Sequence, residues 1–203
     1  MTTTADNATP TVTGPTVRRT AWIAVALAVF ASAWGGNEFT PLLVMYRETG
    51  NFGAVAVDAL LFLYVVGIVP SLLIGGPLSD RYGRRPLMLP APVFAAVGSL
   101  LLALGANSVV LLSIGRVFSG IALGLSMAVG GSWITELSVR GGAGAASGAR
   151  RAAMSLTAGF GIGAGVAGAL AQWAPWPHVL AYVVNISLAA IALVLLLVRA
   201  PET

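Results

Sequence analysis

The sequence predicts an all-helical integral membrane protein with six transmembrane helices, and three observations lead to that fold class. The 203 residues are 57% hydrophobic and only 9% charged, whereas soluble domains are about 25% charged. The hydrophobic residues form six long runs, and a helix of roughly 20 apolar residues is enough to cross a bilayer core of about 30 Å. Most of the arginines fall in every second gap between these runs.

The first residues differ in composition from the rest of the chain. Residues 1–17 are rich in Thr, Ala and Pro and show no apolar periodicity, so we predict a disordered cytoplasmic tail. They also lack the features of a signal peptide. Residues 18–203 form the predicted six-helix unit, with spans at about 21–44, 54–78, 86–106, 109–137, 152–173 and 179–198. Without water to bond the backbone, such spans are expected to be helices.

The arginines predict the orientation. All eleven basic residues are arginine. If the spans alternate in direction, one side carries nine of them: Arg18, Arg19, Arg81, Arg84, Arg85, Arg140, Arg150, Arg151 and Arg199. The opposite side carries only Arg47, so the positive-inside rule places both termini in the cytoplasm of a cell-membrane protein. Arginines arranged in this way give no indication of a nucleic-acid partner.

Several kinds of chemistry are disfavoured by composition. The chain has no cysteine and one histidine, which excludes thiolate and multi-histidine metal sites, and no cofactor is predicted. An intramembrane serine protease needs a Gly-x-Ser-Gly setting and a histidine at membrane depth. Ser119 and Gly120 lack the preceding glycine, and His178 lies at a membrane edge. We therefore expect that the protein is not an enzyme.

The loop between spans two and three carries the most specific motif. It reads "GGPLSDRYGRRP", and its spacing is Gly76-x-Leu78-x-Asp80-Arg81-x-Gly83-Arg84-Arg85. This pattern resembles the cytoplasmic signature of the major facilitator superfamily, G-x-L-a-D-R-x-G-R-K/R. Arg116 and Gly120 in "GRVFSGIALG" resemble the R-x-x-x-G segment of the same family, and "RAPET" is similar to the end of its first half.

The resemblance implies a fold and a partner. The family has twelve helices in two six-helix halves around a central cavity, and each half is two inverted three-helix repeats. This chain corresponds to the N-terminal half. We therefore expect either a fragment of a longer reading frame or a half that assembles with a second six-helix half, from the same gene product or another chain.

The charged loop itself indicates a gate. Positive charges alone explain its retention in the cytoplasm but not Asp80. Gly76 is expected to let two helices approach closely, and Gly83 to supply a turn. Asp80 can accept hydrogen bonds from a helix N-terminus or from Arg84, and Glu136 is a plausible partner for Arg84 or Arg85. By the resemblance, the loop latches helices together in one state of a transport cycle and releases them in the other.

Two ionisable residues, Glu38 and Arg116, lie clearly inside spans and away from their ends, and both are candidates for function. Burying such a group costs at least about 2.5 kcal/mol. The helical rise places Glu38 and Arg116 in the outer half of the membrane. The resemblance implies that spans one and four line the cavity, so Asn37, Glu38 and Arg116 are candidate proton or substrate residues. A carboxylate there can exchange a proton, which predicts proton coupling; alternatively, Glu38 is solvated at the outer interface.

Span five is rich in glycine. Gly163-x-Gly165-x-x-Gly168 has the spacing of a dinucleotide fingerprint, but it lies in an apolar helix rather than after a strand, so we reject that interpretation. Small residues four apart, as at Gly159 and Gly163, favour close helix packing, as does Gly120 in span four. The segment also resembles the family's antiporter signature, G-x-x-x-G-P-x-x-G-G, with Ala164 in place of proline and Ala167 in place of a glycine.

The expected function is transmembrane transport of a small solute by alternating access, in the form of proton-coupled drug or metabolite export. A sugar or metabolite importer of the same family and a non-transporting truncated membrane subunit remain the alternatives. The expected partners are the lipid bilayer, a small-molecule substrate, protons and the second half.

Overall fold

The computed structural model describes residues 18–49, 53–177 and 179–202. The predicted tail at 1–17 and His178 lie outside the described residues. The regular secondary structure of the described ranges is helical, and the helices in chain order are α1 (Ala21–Asn37), α2 (Phe39–Thr49), α3 (Ala54–Tyr82), α4 (Arg84–Met88), α5 (Pro90–Leu104), α6 (Val109–Leu125), a π-helical turn (Ser126–Gly130), α7 (Gly131–Arg140), α8 (Ala145–Trp173) and α9 (Leu180–Arg199).

Within the described residues, five helical segments are long and apolar enough to cross a membrane. These segments are Val55–Tyr82, Arg84–Leu104, Val109–Arg140, Ala145–Trp173 and Leu180–Arg199. The second of them combines α4 and α5, and the third combines α6, the π-helical turn and α7.

The first predicted span is divided into two helices. α1 has 17 residues and α2 has 11, and they meet at Glu38. Pro41 has no N–H to donate to the Asn37 carbonyl, and its ring crowds that carbonyl, so the ladder of α-helical hydrogen bonds is interrupted here. Glu38 itself keeps helical dihedral angles, and its N–H donates to the Trp34 carbonyl at 2.9 Å. A membrane crossing by this pair of helices remains a prediction.

α1 lies at the centre of the bundle. It packs most extensively against α8 and α9 and also contacts α5, α6 and α7. Its buried face consists largely of alanine, with Ala24, Ala28 and Ala33 at most 2% exposed, so neighbouring helices can approach closely. The other large interfaces join α3 to α6, α5 to α6, α5 to α9, and α7 to α8.

Three buried clusters fill the bundle: two large ones, one toward each end, and a small one of Ala95, Ala122 and Ala189. The first surrounds α1 with Met88, Trp133, Leu137 and Leu196. The second contains Phe39, Leu42, Tyr46, Leu60, Leu102, Leu112, Ala167, Ala181 and Tyr182. α3 and α8 present many large apolar side chains outward, including Phe62, Leu73 and Ile162. Apolar surface outside and a packed interior are what a helical bundle in lipid requires.

The helix ends rich in arginine come together. The Arg151 guanidinium lies 4.4 Å from the centroid of the Trp22 ring. A Cβ at Gly141 would lie 3.3 Å from Arg19 Cα. The Arg85 guanidinium donates to the Leu197 carbonyl at 2.8 Å. The start of α1, the α3–α4 junction, the α7–α8 turn and the end of α9 thus form one surface, called here the arginine-rich end.

Candidate functional site

Arg84 is the centre of a charged cluster at the arginine-rich end. Its guanidinium pairs with Asp80 at 2.7 Å and with Glu136 at 3.1 Å. It also donates to Ser79 Oγ, whose hydroxyl donates to the Gly76 carbonyl at 2.9 Å. These contacts join the end of α3 to α7 through the first residue of α4. Glu136, which was predicted as a partner for Arg84 or Arg85, contacts Arg84.

Glu202 completes this cluster from the far end of the chain. Its carboxylate accepts the backbone N–H of Arg84 at 2.7 Å and that of Arg85 at 3.1 Å. A Cβ at Gly83, where φ is +96°, would approach Glu202 Oε1 to 2.8 Å. Glycine at this position therefore allows both the positive φ and the approach of the carboxylate. Ser79, Asp80, Arg84, Glu136 and Glu202 are called the latch cluster below.

Not every residue of the loop motif takes part in these contacts. Leu78 and Arg81 are exposed, and the Arg81 guanidinium lies 5.4 Å from the Tyr82 ring centroid. Among the residues that the structure describes, a Cβ at Gly76 would meet no neighbour within 4 Å, so the close helix approach expected there is not made within this part of the chain. That approach occurs elsewhere on α3, at Gly67, where a Cβ would collide with the Val117 carbonyl of α6.

Glu38 lies in the interior of the bundle and not at a solvated interface. Its side chain is 0% exposed, as are Ser99 of α5 and Asn185 of α9. The Ser99 hydroxyl donates to Glu38 Oε1 at 2.9 Å, and the Asn185 amide N–H donates to Ser99 Oγ at 2.8 Å. The Trp34 indole lies close enough to interact with the carboxylate but makes no hydrogen bond of good geometry.

Arg116 is equally buried, at 1% exposure, but its partners are neutral. Its guanidinium donates to the carbonyls of Gly36 at 3.3 Å and Leu60 at 3.4 Å. The same group lies 4.1 Å from the Tyr64 ring centroid and 4.6 Å from that of Phe39, an arrangement that stabilises a buried cation. Within the described ranges no ion pair joins Arg116 to Glu38, although the two charges interact electrostatically.

Asn37 is directed away from the other two cavity candidates. Its side-chain amide donates to the Phe160 carbonyl of α8 at 3.1 Å and accepts from the Thr40 hydroxyl at 3.2 Å. The structure therefore brings Glu38 and Arg116 into one buried region and places Asn37 on the side of α1 that faces α8.

The three glycines predicted for helix packing lie at interfaces. A Cβ at Gly120 would collide with the Tyr64 carbonyl of α3. A Cβ at Gly159 would lie 2.5 Å from the Phe30 carbonyl, and one at Gly163 would lie 2.9 Å from Trp34 Cα, both on α1.

Sequence reasoning missed Ser99, Asn185 and Glu202. Asn185 is the only amide in the apolar run of α9, so it carried a usable signal. Ser99 carried a weaker signal, since serine is common in membrane helices. Among the described residues no group of three or more His, Asp or Glu side chains is placed to hold a metal ion.

Comparison with known proteins identifies the family. A family model described as the Major Facilitator Superfamily matches residues 23–203. The chain therefore belongs to the major facilitator superfamily, a family of membrane transporters, as the loop motif and the helical bundle indicate.

Relatives of known activity include both sugar and drug transporters. The glucose transporter GlcP of Staphylococcus epidermidis is 37% identical over 78 residues, which is 34% of this chain and 17% of the relative. The bacillibactin exporter of Bacillus subtilis is 27% identical over 103 residues, 49% of the chain and 26% of the relative. The multidrug transporter MdfA of Edwardsiella piscicida is 31% identical over 114 residues, which is 56% of this chain and 28% of the relative. The chain thus matches less than a third of the length of each of these proteins.

Proposed function

We propose that this chain forms one half of a secondary active transporter that moves a small solute across the cell membrane by alternating access. Family membership supports transport, and a second six-helix half would complete the pathway. In this proposal α1 and α2 together form the first of six spans, and the arginine-rich end faces the cytoplasm.

The helix contacts support the proposed pair of inverted repeats. If α1 with α2 corresponds to α6 with α7, then α3 corresponds to α8 and α5 to α9. Under this exchange, the α3–α6 interface corresponds to α8–α1, and the α5–α6 interface corresponds to α9–α1. The α5–α9 interface corresponds to itself. These interfaces form matched sets, as two related three-helix units would produce. The α7–α8 interface is an exception, because its counterpart between α2 and α3 is small among the described residues.

The observation that carries the proposed mechanism is the fully buried Glu38 carboxyl, which is bonded to a neutral hydroxyl and not paired with Arg116. A buried carboxylate without an ion pair is costly, and taking up a proton removes that cost. Arginine cannot lose its proton in this way. We therefore assign proton exchange to Glu38 and propose proton-coupled export of a drug or metabolite, with Arg116 as the nearby fixed charge.

The latch cluster serves as the gate in this proposal. Its contacts cross between α3, α4 and α7 and extend to the segment after α9. Breaking a few contacts of this kind shifts an equilibrium between two conformations, because each contributes free energy to only one of them. We propose that the latch cluster is intact when the cytoplasmic side is closed.

Solute-induced proton movement tests the proposed function. The protein is expressed from its full reading frame, and everted membrane vesicles are energised to acidify their interior. Addition of ethidium, as a probe of drug export, is expected to release protons from the vesicles, as reported by a pH-sensitive dye. Vesicles without the protein are the control, and identical traces from the two preparations would contradict the proposal.

The glucose transporter among the relatives supports a second candidate, a sugar importer. Adding glucose in place of ethidium distinguishes the two. Movement of protons into non-energised vesicles together with added glucose, and no response to ethidium, would favour a proton-coupled sugar importer, because symport carries the sugar and the proton in the same direction.

A further inference from the structure

We propose that Ser99 and Asn185 are positioning residues for Glu38 and hold its carboxyl group between α5 and α9. This inference rests on the proposed role of Glu38 and extends it to two helices that sequence reasoning gave no part in coupling. All the residues involved belong to this chain, so the arrangement can be tested without a transported solute.

The direction of the two hydrogen bonds carries the inference. A serine hydroxyl has a single proton to donate. The Asn185 amide N–H occupies a lone pair of Ser99 Oγ at 2.8 Å, and the Ser99 proton is then directed to Glu38 Oε1 at 2.9 Å. Without Asn185, the hydroxyl is free to turn to the backbone carbonyl one helical turn earlier, as serine in a helix commonly does. Asn185 therefore acts on Glu38 through Ser99.

The backbone of α1 next to Asn185 leaves room for these two hydrogen bonds. A Cβ at Gly35 would collide with Asn185 Nδ2, so glycine at this position of α1 leaves the space that the amide occupies. Glu38, Ser99 and Asn185 are all 0% exposed, which excludes bulk water as an alternative partner. The second carboxyl oxygen, Oε2, has no hydrogen-bond partner among the described residues and is therefore the oxygen available to carry a proton.

The charged and titratable groups near Glu38 come from several helices. Arg116 of α6, Tyr46 of α2 and Tyr182 of α9 each interact electrostatically with the carboxyl group. The two tyrosine hydroxyls are 3.0 Å apart and bonded to each other. The direct hydrogen bond to Glu38 comes from Ser99, which makes Ser99 the group whose removal is expected to change the carboxyl most locally.

Infrared spectroscopy of the protein, expressed from its full reading frame and purified into lipid nanodiscs, tests the inference. The difference between spectra recorded at acid and alkaline pH contains the C=O stretching band of each carboxyl that gains a proton. The band of Glu38 is identified as the one that Glu38→Gln removes. Accepting a hydrogen bond weakens a C=O bond, so we expect this band to move to higher frequency in Ser99→Ala and to stay near its original position in Ser99→Thr.

Two further variants test the indirect role of Asn185. Asn185→Leu keeps the volume but not the donor, and Gly35→Ala displaces the amide; both are expected to shift or broaden the Glu38 band. Matched controls are Ser126→Ala, which removes a buried hydroxyl pair with Ser32 at 2.8 Å, and Gly161→Ala, where a Cβ meets no neighbour within 4 Å. Both controls are expected to leave the band unchanged.

The possible outcomes separate the two proposals. A Glu38 band that is present and stays unmoved in Ser99→Ala would overturn the positioning role and leave proton exchange at Glu38 intact. A difference spectrum in which Glu38→Gln removes no band would contradict proton exchange at Glu38 itself, and with it both proposals.

Discussion

Arg84 forms ion pairs with Asp80 and Glu136, and its own side chain is only 18% exposed. Loss of its charge is therefore expected to loosen the latch cluster. Because the chain has no cysteine, Ser79→Cys, at a position that is 2% exposed, provides a unique reporter. We predict faster alkylation of this cysteine when Arg84→Gln is added, measured at an alkaline pH at which a free thiol is already ionised, so that loss of the nearby guanidinium does not change the thiolate fraction.

The control for this prediction is Arg81→Gln. Arg81 is exposed and contacts the Tyr82 ring rather than the latch cluster. Its replacement is expected to leave the alkylation rate as it was. Equal rates for Arg84→Gln and Arg81→Gln would contradict the latch.

A second prediction for a single residue concerns Glu202. Glu202→Ala removes the acceptor of the N–H groups of Arg84 and Arg85. A comparable helix cap is worth about 1 kcal/mol, so thermal unfolding in detergent should show a loss of about that size or less. Glu202→Gln keeps an acceptor oxygen and should lose less. As a comparison, Asp58→Asn disturbs an exposed ion pair with Arg47 at 3.9 Å and should have little effect.

How well a contact can be predicted from the sequence depends on how far apart its two residues are in the chain. Asp80 and Arg84 are only four residues apart, on either side of the turn at Gly83, so their closeness in the chain favours the contact even though they lie in different helices. Glu202 meets Arg84 across 118 positions, and Asn185 meets Ser99 across 86. Such contacts depend on how the helices pack against one another, and the spacing of residues within a motif gives no information about that packing.

At the scale of helices, the α3–α6 interface depends on glycine. A Cβ at Gly120 would collide with the Tyr64 carbonyl and lie 3.0 Å from Gly67 Cα, and neither backbone atom can move aside without separating the helices. We predict that Gly120→Ala lowers the free energy of unfolding by about 1–3 kcal/mol, as overpacking does.

Gly161→Ala is the matched control, since a Cβ at that position of α8 meets no neighbour within 4 Å. Unfolding in detergent under identical conditions compares the two variants. A destabilisation by Gly161→Ala as large as that by Gly120→Ala would show that lost flexibility, and not the close approach, is responsible.

The helices themselves were easier to predict than their interruptions. Continuous apolar runs indicate the long helices because the bilayer leaves few other structures available. Because the first run is apolar throughout, the division into two helices at Glu38 was not predicted, although Pro41 within the run indicates such a break. The π-helical turn at Ser126–Gly130 has no comparable mark in the sequence.

At the scale of the whole molecule, the proposed orientation can be tested with single cysteines. Gly144→Cys lies in the exposed turn before α8, at the arginine-rich end, and Trp176→Cys lies at the opposite end, where the tryptophan is 72% exposed. A membrane-impermeant maleimide added to intact cells is expected to label position 176 and not position 144. Labelling of position 144 alone would reverse the proposed orientation.

The central claim is that proton exchange at Glu38 drives transport. The most direct test measures ethidium-induced proton movement in everted vesicles across the physiological pH range, for the protein and for Glu38→Gln side by side. We predict that Glu38→Gln loses the proton movement and the pH dependence of transport. Transport by Glu38→Gln with an unchanged dependence on protons would contradict it.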